Sequence, residues 1–217
     1  MLAPILSGPI RLLAVPLAVF ALHSAPKPLP FHGSVQRLSP TLRTELVKNH
    51  LWHRGCPVGL SSLRLLTVSY RGFDGQTHDG DLVVNATVAT SLVNVFRRLY
   101  RLRFQIHEMQ PIHTSGDDTA SFECRDAASS PCPGTPPTHH WSMHAFGEAV
   151  DVNPTENPYT GCGRTRDRGS IPYLNRSRHR RGMVTPAVVA TFASIGWGWG
   201  GSWSGTKDYM HFSSTGH

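Results

Sequence analysis

Two short runs, far apart in the chain, restrict its fold more than any other feature: SMHAFGEAVD at 142–151 and DYMHF at 208–212. In the first, His144 precedes Asp151 by seven positions, and Ser142, Gly147 and Ala149 keep the surroundings small. EAVDV (148–152) alternates as a strand does, so Val150 and Val152 point into a core and Asp151 faces away from it. Zinc is bound by neutral imidazole and carboxylate, and a catalytic site needs three protein ligands and one open position. His144, Asp151 and His211 supply such a set for one ion. An isolated His-x6-Asp pair means little in a chain with 13 histidines, so the small flanking residues carry weight. Asp208, three positions before His211, is placed to act as a base beside the metal without ligating it.

The rest of the chain fits one domain. At 217 residues it is too short for two ordinary domains, and 39% hydrophobic with 16% charged residues describes a globular protein. No apolar run reaches membrane-spanning length, and the many Gly and Pro residues point to long irregular loops. Arg11 followed by LLAVPLAVFAL and HSAP reads as a signal peptide over 1–25, with a buried N-terminal helix as the plain alternative. Residues 26–55 read as an N-terminal arm and 56–217 as the main domain. Four cysteines, Cys56, Cys124, Cys132 and Cys162, suit an oxidising compartment and contain no CxxC pair. Three pairings are open, and the short loop between Cys124 and Cys132 makes that pair the preferred one.

Local patterns give an α+β chain with a small antiparallel sheet and flanking helices. SLRLLTVSY (62–70) and DLVVN (81–85) read as a hairpin across the turn-rich GFDGQTHDG. Asn85 is read as the cap of a helix running to about Arg101, with Val88, Leu92, Val95, Phe96 and Leu99 on one face and Arg97, Arg98 and Arg101 on the other. FQIHEM (104–109) is a candidate strand, and 110–140 reads as loop. Thr185 and Pro186 open a second helix that stops at Gly196. DYMHF is read as the last strand.

The formal charge is +7, and seven of the 21 basic residues lie in one loop: Arg164, Arg166, Arg168, Arg176, Arg178, Arg180 and Arg181. The plain reading is a solvated loop, the sharper one a docking surface for an anionic wall. His139 and His140 read as exposed loop residues. HExxH is absent, since WSM without Glu separates His140 from His144. Trp197, Trp199 and Trp203 line a groove or simply pack.

SxHxxGxAxD followed by DxxHF resembles the D-alanyl-D-alanine carboxypeptidase family of zinc peptidases, which includes L-alanyl-D-glutamate endopeptidases and shares its fold with the hedgehog signalling domain. GWGWGGSW before Asp208 and FECR at 122–125 extend the likeness over roughly 56–214. The resemblance implies zinc ligands His144, Asp151 and His211, with Asp208 as catalytic base. It also implies Arg125 as a holder of substrate or oxyanion, with a structural arginine as the alternative. Ser142 is read as orienting a ligand or contacting substrate, with a loop cap as the alternative. The implied protein is a secreted or wall-associated monomer acting on peptidoglycan stem peptides, with anionic wall polymers nearby, no nucleic acid and no stable membrane span. The other reading is a non-catalytic zinc module that binds wall or protein.

Overall fold

The structure is a computed structural model that describes residues 29–112 and 116–217. The signal-like stretch read at 1–25 lies outside the described residues. No helix among those residues is long and apolar enough to cross a membrane.

The first unit is a three-stranded antiparallel sheet. Strand β1 (Gly33–Arg37) is followed by helix α1 (Pro40–Lys48), which Ser39 caps by accepting from Leu42 N–H at 3.1 Å. Strands β2 (Leu63–Arg71) and β3 (Thr77–Asn85) form the expected hairpin, and β1 adds to the free edge of β2. The hairpin runs longer than the sequence indicates, because a tight turn confined to 72–76 lets the ladder begin at Arg71 and Thr77. Strand alternation sends Leu66, Val68, Leu82 and Val84 to one face and Leu63 and Val83 to the other. Both faces are covered. α1 supplies Leu46 to the second, together with Leu38 and Leu51, so a strand and a helix of the N-terminal arm pack into the domain.

Helix α2 (Ala89–Arg101) covers the first face with Leu92, Val95, Phe96 and Leu99, while Arg98 and Arg101 stay in solvent. It begins later than Asn85. That residue ends β3 instead, and its side chain turns the chain by accepting from Thr87 N–H at 3.1 Å. Of FQIHEM only β4 (Glu108–Met109) is strand, paired in parallel with β5 (Asp118–Thr119). The residues before it satisfy their backbones on the Asn153 side chain, which donates to Gln105 O and accepts from His107 N–H, both at 2.9 Å.

The C-terminal part adds β6 (Ala149–Asp151), β7 (Tyr159–Gly161), β8 (Arg164–Thr165), α3 (Pro186–Ala193), β9 (Gly198–Trp199), β10 (Lys207–Asp208) and β11 (His211–Ser213). They form two further small sheets, in the orders β6-β11-β9 and β10-β7-β8. Thr185 caps α3, whose Phe192 stacks on Phe212 with ring centroids 3.9 Å apart. Val150, Val152 and Phe212 join the same apolar cluster as α2, so the two halves share one core. The architecture is mixed α and β with small antiparallel sheets, as the patterns indicate.

Glu156 is buried near Asp117, His107 and Tyr173. Burial first, and the Asp117 charge second, push its carboxyl up to about 7. An acid whose pKa is raised by folding binds its proton more tightly in the native state. Its stabilising effect is therefore complete below the unfolded value and is lost as pH rises through about 7. Urea titrations at pH 5 and pH 8 should show this decline, about 2 kcal/mol after allowing for solvent screening. In Glu156→Gln the decline should shrink by that amount, leaving the part due to Asp208, whose carboxyl is also pushed up to about 7.

Candidate metal centre

The seven-residue gap in SMHAFGEAVD is one short turn and one strand. Ser142 opens a 3-10 turn, Met143–Phe146, with its hydroxyl accepting from His144 N–H at 3.3 Å. Gly147 ends the turn at φ +69°, and a Cβ there would sit 2.7 Å from Asn85 N, so glycine is required on both counts. The close approach is itself bonded: Asn85 N–H donates to Gly147 O at 2.8 Å, and Asn85 Nδ2 to Phe146 O at 3.0 Å. β6 then carries Asp151 to a position directly opposite His211 on antiparallel β11.

Three polar side chains meet there. His144 Nε2 lies 3.2 Å from His211 Nδ1, and each nitrogen lies 3.1 Å from an oxygen of Asp151. The donor atoms all fall within 4.8 Å of one another. The other nitrogen of His144, Nδ1, is 2.5 Å from Ser121 O, a carbonyl that accepts from it, so Nε2 is the nitrogen that faces the cluster. The set of two imidazoles and one carboxylate suits zinc, with His211 presenting Nδ1 to the cluster.

The support for His144 comes from a segment that the sequence reading leaves as loop. Residues 120–127 run antiparallel to the ligand-bearing stretch. Ala120 pairs with Asp151, and Ser121 Oγ donates to Ala149 O. Glu123 N–H donates to His144 O, Ser142 N–H to Arg125 O, and Ala127 N–H to His140 O. Its composition lacks a β-rich run, so only the FECR likeness points to it. Phe122 is buried in the second apolar cluster, and Cys124 is joined to Cys56. The preferred pairing of Cys124 with Cys132 is thus incorrect: Cys132 bonds Cys162, and proximity in sequence loses to the strap's position over β3. His53, Cys56 and Cys124 also lie close together, but both thiols are consumed in the disulfide.

Above the cluster lies a cleft of about 420 Å³ whose walls include Arg125, Trp141, Tyr159, Trp203 and Asp208, with His144 and His211 among its lining residues. Asp208 is held by β10 on β7, and the WGWGGSW segment packs against it: a Cβ on Gly200 would lie 2.6 Å from Asp208 O. Of the three tryptophans in that segment, Trp197 is core, Trp199 donates to Tyr209 O, and Trp203 faces the cleft. His139 and His140 are exposed, and His140 lines the cleft. Arg125 donates to Glu123 Oε2 at 2.6 Å.

Electrostatics distinguish the two carboxylates. Burial opposes ionisation of Asp151, but the charges and hydrogen bonds of His144 and His211 outweigh it and hold the carboxyl well below the usual range. Asp208 is pushed up to about 7, by burial first and by the Asp151 charge second, with His211 and Arg125 opposing. Burial works against the His211 cation, yet the hydrogen bond to Asp151 and the nearby carboxylates raise its pKa. Arg125 is also raised: its burial is offset by Glu123, then by Asp151 and Asp208.

No curated protein and no solved structure matches the chain. A family model does match residues 136–214, and its description is D-alanyl-D-alanine carboxypeptidase. That span contains both motif runs and His144, Asp151 and His211, so the residues that carry the resemblance lie within the part of the chain that is similar to this family.

Proposed function

We propose that the chain is an exported zinc peptidase that hydrolyses a bond in peptidoglycan stem peptides, either releasing a terminal D-Ala or cutting between L-Ala and D-Glu. The observation that carries this reading is the meeting of His144, Asp151 and His211 at a cleft that also holds a second, half-buried carboxylate, Asp208. A zinc ion held by His144 Nε2, His211 Nδ1 and Asp151 would supply a Lewis acid for the scissile carbonyl and lower the pKa of water. Asp208 takes the proton from the attacking water and returns it to the leaving amine. Arg125 holds a substrate carboxylate or the developing oxyanion, for which guanidinium is a strong fixed donor. Ser142 acts through His144, whose backbone N–H its hydroxyl accepts. Two disulfides and a basic charge balance fit export to an anionic wall. A zinc module that only binds would need the ligands but not Asp208, which favours the enzyme.

The test uses the purified chain, zinc and defined stem-peptide fragments, read by mass spectrometry. Loss of one D-Ala identifies a carboxypeptidase, and separation of L-Ala from D-Glu an endopeptidase. A chelator should stop either reaction and added zinc restore it. No cleavage by protein shown to contain zinc would establish the binding module instead.

A further inference from the structure

The charge of this protein is concentrated in one excursion. Residues 162–182 hold seven arginines and one acid, Asp167, for a formal +6, while the whole chain is +7, so every other residue together contributes +1. The excursion is tied at both ends. Cys162 is bonded to Cys132, and Gly182 O accepts from the Nδ2 groups of Asn153 and Asn157, each at 2.9 Å. It starts directly after β7, whose Tyr159 lines the cleft, and Arg166 donates to the carbonyls of Ser129 and Ser130, next to the cleft residues Ala127 and Ala128.

The partners these guanidiniums find leave their charge in place. Arg176 donates to Glu156 O, Val184 O and Asn157 Oδ1, and Arg181 to Phe73 O. Arg180 lies over Tyr173 and Arg181 over Phe73. Asp167 is occupied by Gly169 N–H and the Ser170 hydroxyl. Carbonyls, amides and rings fix an arginine without cancelling it, and all seven except Arg176 are exposed. The result is an array of uncompensated cations beside the cleft, four of them held by such partners and Arg164, Arg168 and Arg178 free in solvent.

We propose that residues 162–182 dock a linear phosphodiester polymer of the cell wall, keeping the cleft close to the peptides attached to that wall. The proposal rests on the peptidase reading for its place, but its chemistry is independent of it. Arginine's planar fork matches phosphate oxygens, and sites spread along a surface without a closed pocket suit a repeating ligand that engages several at once. Nucleic acid fits less well, because the rings against these arginines, Tyr173, Phe73 and Tyr209, are covered by guanidinium and not open for base stacking. A membrane fits less well too, since Ile171 is the one exposed large apolar side chain in the excursion.

The experiment measures binding of the full chain to purified poly(glycerol phosphate) between 50 and 200 mM salt, with single-stranded DNA and anionic phospholipid vesicles as competitors. The variant R164Q/R168Q/R178Q removes three exposed arginines for which the structure shows no fixed role. Wild type should bind with a steep salt dependence; the variant should bind at least about tenfold more weakly, with a log–log salt slope shallower by about 2. Cleavage of soluble stem-peptide fragments should be equal in the two proteins. Absence of wild-type binding at 50 mM salt, equal binding by the variant, or preference for DNA or vesicles would each overturn the proposal. If soluble fragments are not cleaved while the polymer still binds, it is the peptidase reading that fails.

Discussion

Asp208→Asn should leave zinc content unchanged and lower turnover of stem-peptide fragments by about 10²- to 10⁴-fold, the usual contribution of a positioned general base. The amide keeps the size of the carboxylate and can still pack against Gly200, so the cleft walls should hold. It cannot accept a proton from water. His144→Ala should behave differently: it removes a donor from a cluster whose atoms lie within 4.8 Å, so zinc should be lost together with activity. Elemental analysis of both purified variants separates the two effects. Full activity in Asp208→Asn would refute its assignment as the base, and retained zinc in His144→Ala would refute the ligand set.

The second large effect concerns the Cys56–Cys124 disulfide. It closes a loop with a sequence separation of 68. On the chain-entropy account, replacing both cysteines with serine should cost about 4 kcal/mol of stability. That cost is global, but the local one bears on the site. Cys124 sits in the strap, between Glu123, whose N–H bonds His144 O, and Arg125, which faces the cleft. A double Cys→Ser variant that remains folded should therefore hold zinc more weakly and lose turnover. The Cys132–Cys162 pair, which is bonded to none of the segments around His144, Asp151 and His211, should affect stability with less effect on zinc. Urea midpoints and zinc affinity, measured in parallel on both double variants, test this ranking.

Much of the fold is readable where a pattern is local. The β2–β3 hairpin follows from alternating apolar residues on either side of a Gly-rich turn. The apolar stripe of α2 and the Thr185-Pro186 start of α3 are equally local signals. The meeting of His144, Asp151 and His211 is legible for another reason: they are chemically distinctive, and their small neighbours leave room for them to come together. What is not legible depends on distant partners. The strap at 120–127 has no strand pattern of its own, because its hydrogen bonds are divided among β6, β3 and the turn at 143–146, and its large apolar side chain, Phe122, is used once. Asn85 has a good cap composition, yet its bonds to Phe146 and Gly147 decide its place. The disulfide pairing follows from which segments cross, and spacing carries no record of that.

The junction of Asn85 with Gly147 also limits what can be cut from this protein. Residues 136–214, the span of the family match, contain His144, Asp151 and His211 but lack two of the groups that hold His144 and its turn: Ser121 and Asn85 both lie outside it. An excised fragment with those limits would expose Val150, Val152 and Phe212, whose packing partners on α2 would be missing. The stretch that the family model matches is thus smaller than the stretch that folds. Grafting the ligand motif onto another scaffold would require transplanting a hairpin end and a strap as well.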